Sequence, residues 1–206
     1  MREPPVNRAI HPIERESYEI LRARLDTSGL PRLTRAVAER VIHASADPSY
    51  LTDLVCVEDT LAAGAEALAR GATIVVDSAM TAAGITARPV VCRISDPRTA
   101  DLARREGITR SASGVRLAYD EVGPGAVWVI GTAPTALMEM LSVGVSPVLV
   151  IGLPVGFVGA AESKEALRAS GLPSVTNRGE KGGAAVAAAA LNALLYTPQG
   201  EEADRS

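Results

Sequence analysis

Two hydrophobic periods organise this chain. Near its start, apolar residues recur at helical spacing. Pro12–Leu25 predicts a helix with Ile13, Ile20 and Leu21 on one side. Pro31–Ala44 predicts a second, opened by a proline in the first turn and striped by Leu33, Val37 and Val41. Further on, short Val- and Ile-rich runs alternate with longer stretches. Thr73–Asp77, Pro89–Ile94, Ala126–Ile130, Pro147–Ile151 and the weaker Ser174–Thr176 predict strands. Val57–Arg70, Arg98–Glu106, Ser111–Tyr119, Pro134–Val143, Ala160–Ala169 and Gly183–Tyr196 predict helices. Short apolar strands separated by helices build parallel sheets covered on both faces. The expected fold is therefore α/β: a flavodoxin-like, doubly wound, mainly parallel five-stranded sheet with helices on both faces. One domain is expected over residues 8–196, with residues 1–7 and 197–206, polar or proline-containing, as loose ends.

Ligands of such sheets sit outside the carboxyl ends of the strands. The turns expected there are Ser78–Thr81, Gly131–Thr135 and Gly152–Gly159. In the last, the glycines at 152, 156 and 159 match neither G-x-G-x-x-G nor a Walker loop. A bare-backbone turn running into a helix can still face an anion. Two readings stay open, a ligand-free connection and a seat for a phosphorylated substrate. Asn177–Gly183 offers the same pair of readings.

Composition narrows the chemistry. With 47% hydrophobic residues but 3% aromatic, the core has to be built from Ala, Val, Leu and Ile. A net charge of −3 argues against a general nucleic-acid surface. Nineteen of the 21 basic residues are Arg, whose planar fork suits carboxylates, so a local cationic pocket is compatible with that charge. Cys56 and Cys92 fit no metal spacing and read as reduced thiols of a cytoplasmic protein; with only two His, a zinc site is hard to assemble. No run approaches membrane-spanning length, and the N-terminus has no signal-peptide core. No cofactor or bound metal is expected.

His43 lies near the end of the second predicted helix, with Arg40 one turn earlier on the same side. By position alone it is a partner for the helix dipole; by chemistry it is a side chain able to hold and give a proton near neutral pH. Ser17 falls between Ile13 and Ile20, where a hydroxyl needs a partner; a bond back to its own helix would supply one. Thr132 and Thr135 read as N-caps of the helix starting at Pro134. Thr86 is either turn chemistry or a ligand contact. Arg110 and Arg116 are solvated or bind carboxylates bidentately. Lys164, one of two lysines, is a candidate anion contact beyond the glycine turn.

Five blocks carry a resemblance: Arg40-Val-Ile-His-Ala-Ser45, Thr109-Arg-Ser-Ala-Ser-Gly-Val115, Gly131-Thr-Ala-Pro-Thr-Ala-Leu137, Gly152-Leu-Pro-Val-Gly-Phe-Val-Gly159 with its continuation to Leu167, and Gly182-Gly-Ala-Ala-Val-Ala-Ala-Ala-Ala-Leu-Asn192. In order and spacing, from about Ile10 to Leu195, they resemble the precorrin-8X methylmutase (precorrin isomerase) family of corrin-ring biosynthesis. The resemblance implies the flavodoxin-like fold and an intramolecular methyl shift from C-11 to C-12 of precorrin-8X or its cobalt form, giving hydrogenobyrinate or cobyrinate. It implies a tetrapyrrole polycarboxylate as substrate, a homodimer, and His43 as the catalytic acid. Ser17 and Arg40 match substrate-contacting positions, and Thr86, Arg116, Gly156 and Lys164 are the further substrate-binding candidates. The block at Gly131 departs from the family in having Thr132 where Asn is frequent. A non-catalytic corrinoid carrier is the rival within the same resemblance.

Overall fold

The computed structural model describes residues 11–197. The expected loose ends lie outside them except for Thr197, as do residues 8–10 of the expected domain. In chain order the elements are α1 (Pro12–Arg24), α2 (Arg32–Ser45), α3 (Tyr50–Asp53), β1 (Leu54–Val55), α4 (Glu58–Ala69), β2 (Ile74–Val76), α5 (Ala79–Ala83), β3 (Val91–Cys92), α6 (Pro97–Glu106), α7 (Arg110–Val122), β4 (Val127–Ile130), α8 (Pro134–Ser142), β5 (Leu149–Gly152), α9 (Ala160–Ala169), β6 (Ser174–Asn177) and α10 (Ala184–Tyr196).

The sheet has six strands, not five, in the order β1-β6-β5-β4-β2-β3. The five expected strands are all present and run parallel to one another. Their order is that of a flavodoxin-like sheet, with connections diverging between β2 and β4. The sixth, β1, is a two-residue antiparallel edge, Leu54 opposite Asn177 and Val55 opposite Thr176. It is too short for a sequence period to reveal.

Alternation along the strands divides the core. Val76, Val129 and Ile151 point to a face packed by α2, α4 and α10; Val75, Trp128 and Val150 point to one packed by α7 and α8. Helix α10 is apolar nearly all round and buried from Val186 to Leu195, as a helix between two layers must be. It lies against β4 and β5 on one side and α2 on the other. Its small side chains permit close approach: a Cβ on Gly84 would come within 2.6 Å of that of Ala188. The predicted stripe Leu33, Val37 and Val41 of α2 is fully buried.

Helix α1 corrects one expectation. Leu21 is buried, but Ile13 and Ile20 are 69% and 45% exposed. Helix α1 packs on α2 alone among the elements it contacts substantially, so only one edge of its apolar side is covered.

Candidate functional site

Two ion-pair clasps set α1 against α2. At one end Glu39 of α2, buried, accepts from the Arg22 guanidinium at 2.7 and 3.1 Å, from Thr27 at 2.6 Å and from Arg35 at 2.8 Å. Burial pushes the Glu39 carboxyl up, but those hydrogen bonds more than reverse this and hold it down at about 2. At the other end Arg40 meets Glu14 at 3.4 Å and lies 5.0 Å over the Tyr196 ring. Ser17 sits between the clasps, and its Oγ is 2.7 Å from His43 Nδ1. The Tyr18 ring stacks on the half-buried imidazole, centroids 5.0 Å apart and planes 18° from parallel. Helix α2 ends just beyond, at Ala46 in the left-handed region (φ 53°).

Ser17, Arg40 and His43 are thus brought together, 23 and 26 residues apart in the chain. Ser17 bonds across to His43 and not back to its own helix. A depression of about 420 Å³ lies at the far end of α1, bordered by Arg22, Leu25, Thr27 and Arg35. Glu39 already claims both of those arginines, and Arg24 and Asp26 complete the rim.

The expected turns gather at the carboxyl edge of the sheet. Asp77, directly after β2, reaches across the point where the connections diverge. It accepts from the backbone N–H of Gly131 (3.2 Å), Thr132 (2.7 Å) and Ala133 (2.9 Å) and from the hydroxyls of Thr81 and Thr132. The capping expected of Thr132 and Thr135 is not found: α8 has no side-chain cap, Thr132 donates to Asp77 in the turn before the helix, and Thr135 pairs with Thr109 at 2.8 Å. Thr86 is exposed beyond α5, in a turn held where the Asn192 side chain donates to Gly84 at 2.8 Å.

The two glycine loops are tied to each other. Gly156 (φ +145°) donates its N–H to the Glu180 carbonyl, and Gly183 donates to that of Leu153. A Cβ on Gly182 would lie 2.3 Å from the Leu153 oxygen, so only glycine allows this approach. Beneath the loops lies Lys164, the candidate anion contact. It is fully buried, donating to Asn177 Oδ1 at 3.0 Å and to the Lys181 carbonyl at 2.6 Å. Burial, with Arg168 nearby, brings its ammonium down to about 8. Lys181 in turn pairs with Asp47 at 3.0 Å and Asp53 at 2.6 Å and lies over the Tyr50 ring. That contact ties the loops to the segment following α2.

Arg116 is not brought to His43. Its helix covers the opposite face of the sheet, and its guanidinium is held by Glu139 and, at 3.8 Å, by Glu106. Arg110 donates to the Ile94 carbonyl.

The family model for precorrin-8X methylmutase matches residues 12–197, nearly the whole chain. The chain belongs to the precorrin-8X methylmutase family. Among relatives of this family of isomerases, a precorrin-8X methylmutase from Pseudomonas aeruginosa is 44% identical over 194 residues, covering 88% of this chain and 93% of its own. A cobalt-precorrin-8 methylmutase from Salmonella typhimurium is 44% identical over 171 residues, 80% and 81% of the two chains. A crystal structure of the precorrin-8X methyl mutase of Thermus thermophilus superposes with a TM-score of 0.80 at 34% identity, covering 89% of this chain and 93% of that one. Among the described residues no helix is long and apolar enough to cross a membrane.

Three residues that organise these contacts went unnoticed in the sequence. Tyr18 adjoins Ser17 in the chain, and a ring beside a candidate contact was a usable signal. Asp77 closes an apolar strand at the ligand edge, which also marks it. Asn192 had none, because its target carbonyl is 108 residues away.

Proposed function

We propose that this protein catalyses the C-11 to C-12 methyl shift of precorrin-8X, or of its cobalt form, giving hydrogenobyrinate or cobyrinate in cobalamin biosynthesis, with His43 as proton donor. The observation that carries this reading is the half-exposed His43 imidazole held by Ser17 and stacked on Tyr18, in a chain of this family. As the proton-bearing imidazolium the ring donates from both nitrogens: Nδ1–H is taken up by Ser17 Oγ, and Nε2–H is left for substrate. A proton placed on the conjugated macrocycle lets the methyl group migrate. The product is an isomer, so the proton returns to His43 and the cycle consumes nothing.

Arg40 stands one turn from His43, where a ring carboxylate can exchange for Glu14. Thr86 and Gly156 belong to the carboxyl edge. Arg116 serves in binding only by exchanging Glu139 for a substrate carboxylate. Lys164 acts from beneath the loops and not by contact. The reading includes a cytoplasmic homodimer, which rests on the family resemblance; sedimentation should give the mass of two chains.

Incubation with precorrin-8X, and separately with the cobalt form, tests the reading. Visible spectra should progress with time to those of the corrinoid product, and His43→Ala should slow that progress roughly 10²–10⁴-fold. Pigment binding without spectral progress would mark a carrier. Saturable nucleotide binding in its place would favour a phosphorylated substrate at Gly152–Gly159.

A further inference from the structure

The glycine loop carries an anomaly that the methyl shift does not use. Phe157 is the chain's single phenylalanine, in a protein with 3% aromatic residues, and it is 97% exposed. Val158 beside it is 88% exposed and Val155 is 46% exposed. From Gly152 to Ala161 the chain has no ionisable side chain, so the tip presents only apolar surface. We propose that Val155, Phe157 and Val158 form the apolar wall of the substrate site and close against the face of the bound macrocycle. This rests on the tetrapyrrole reading above and extends it to residues of the glycine loop.

Placement, size and chemistry support that occupant. The loop leaves β5 at the carboxyl edge, where sheets of this order receive ligands. Its base is bonded to the 180–183 segment through Gly156 and Gly183. Lys181 of that segment is paired with Asp47, two residues beyond the end of the helix bearing His43. A continuous set of polar contacts thus joins the tip to the imidazole's end of α2, and a macrocycle many atoms wide can bridge the gap. Three side chains, the largest worth roughly 150–250 Å², fall well short of the about 800 Å² per partner of a stable protein interface. They are ample for one flat pigment. The charged rim of such a ligand is met elsewhere, at Arg40, which leaves its apolar faces to be covered. The positive φ angles of Gly156 (+145°) and Gly159 (+76°) bracket Phe157 and Val158, and that backbone projects the pair outward from the edge.

The test is Phe157→Ala alongside Phe157→Leu. Hydrogenobyrinate affinity is measured by absorption titration, precorrin-8X kinetics by visible spectra, and mass by sedimentation. Because the ring is exposed, both variants should melt at the wild-type temperature. Phe157→Ala should raise the Kd for hydrogenobyrinate and the KM on the order of tenfold, the effect of losing much of one aromatic contact, with a smaller change in kcat. Phe157→Leu should restore most of the loss, and the mass should not change. Unaltered Kd and KM in Phe157→Ala, with the wild type binding normally, would overturn the proposal. So would a halved mass at undiminished affinity per site, which would make the tip a contact between copies. If the wild type neither binds hydrogenobyrinate nor converts precorrin-8X, the tetrapyrrole reading itself fails and takes the proposal with it.

Discussion

Ser17 Oγ lies 2.7 Å from His43 Nδ1, bridging α1 and α2 between the Glu14–Arg40 and Arg22–Glu39 clasps. The bond does for the imidazole what a single residue cannot: it fixes the ring's plane and occupies Nδ1, leaving Nε2 to face outward. Ser17→Ala should therefore lower turnover roughly 3- to 10-fold, the worth of one hydrogen bond of about 0.5–1.5 kcal/mol, while substrate KM moves less. An unchanged turnover number in single-turnover kinetics would show that Tyr18 stacking alone orients the ring.

Glu39 governs acid stability. Its folded-state carboxyl is depressed from 4.5 to about 2, so its contribution is complete above about pH 4.5 and is lost as pH falls towards 2. Glu39→Gln should cost on the order of 1–3 kcal/mol at pH 7. That is less than a fully buried pair would cost, because the Arg22 and Arg35 side chains are 51% and 37% exposed. Urea unfolding as a function of pH checks both parts: the variant should lose stability less steeply between pH 4.5 and 2 than the parent does.

Asp77 is the acceptor for three backbone N–H groups and two hydroxyls. Asp77→Ala leaves those donors without a partner where water is scarce, and should destabilise by roughly 3 kcal/mol. Asp77→Asn keeps one acceptor oxygen and should cost about half as much. Chemical denaturation of the two variants reads the difference directly.

Lys164 predicts an alkaline effect of the opposite sign to the usual lysine. Its ammonium titrates at about 8 in the fold and at 10.5 when unfolded. Between those values the unfolded chain binds the extra proton, so this group makes stability rise with pH across that window. Lys164→Met should remove the rise. Thermal melts at pH 8 and pH 10 would reveal it as a changed difference between the two temperatures.

Much of this was legible from local pattern, and the failures are equally local in origin. The stripe of Leu33, Val37 and Val41 was readable because a buried helix face repeats every turn. Four of the parallel strands were readable because they lie in Val- and Ile-rich runs; the Ser-Val-Thr-Asn strand at 174–177 was the weaker signal. Ile13 and Ile20 obey the same helical period, yet they are exposed: a period says which residues share a face and not what covers it. Leu54–Val55 pairs only because β6 offers an edge. Lys164 stands in a helix's first turns, where charge is normally solvated, and its burial follows from the 177–181 segment folding over it. His43 was found through resemblance, since its partner Ser17 comes from another helix. Arg116 shows the reverse risk: a sequence block in register with a family still leaves open what its guanidinium touches, here Glu139.

The carboxylate of Asp77 has one consequence beyond stability. In many doubly wound proteins the cleft between the diverging strands is where a nucleotide's phosphate rests on free backbone amides. Here those amides are spoken for by the chain itself. A phosphate seated on that cleft would have to displace the Asp77 carboxylate first, so an anion reaching this edge must be met by side chains or by the neighbouring glycine loops.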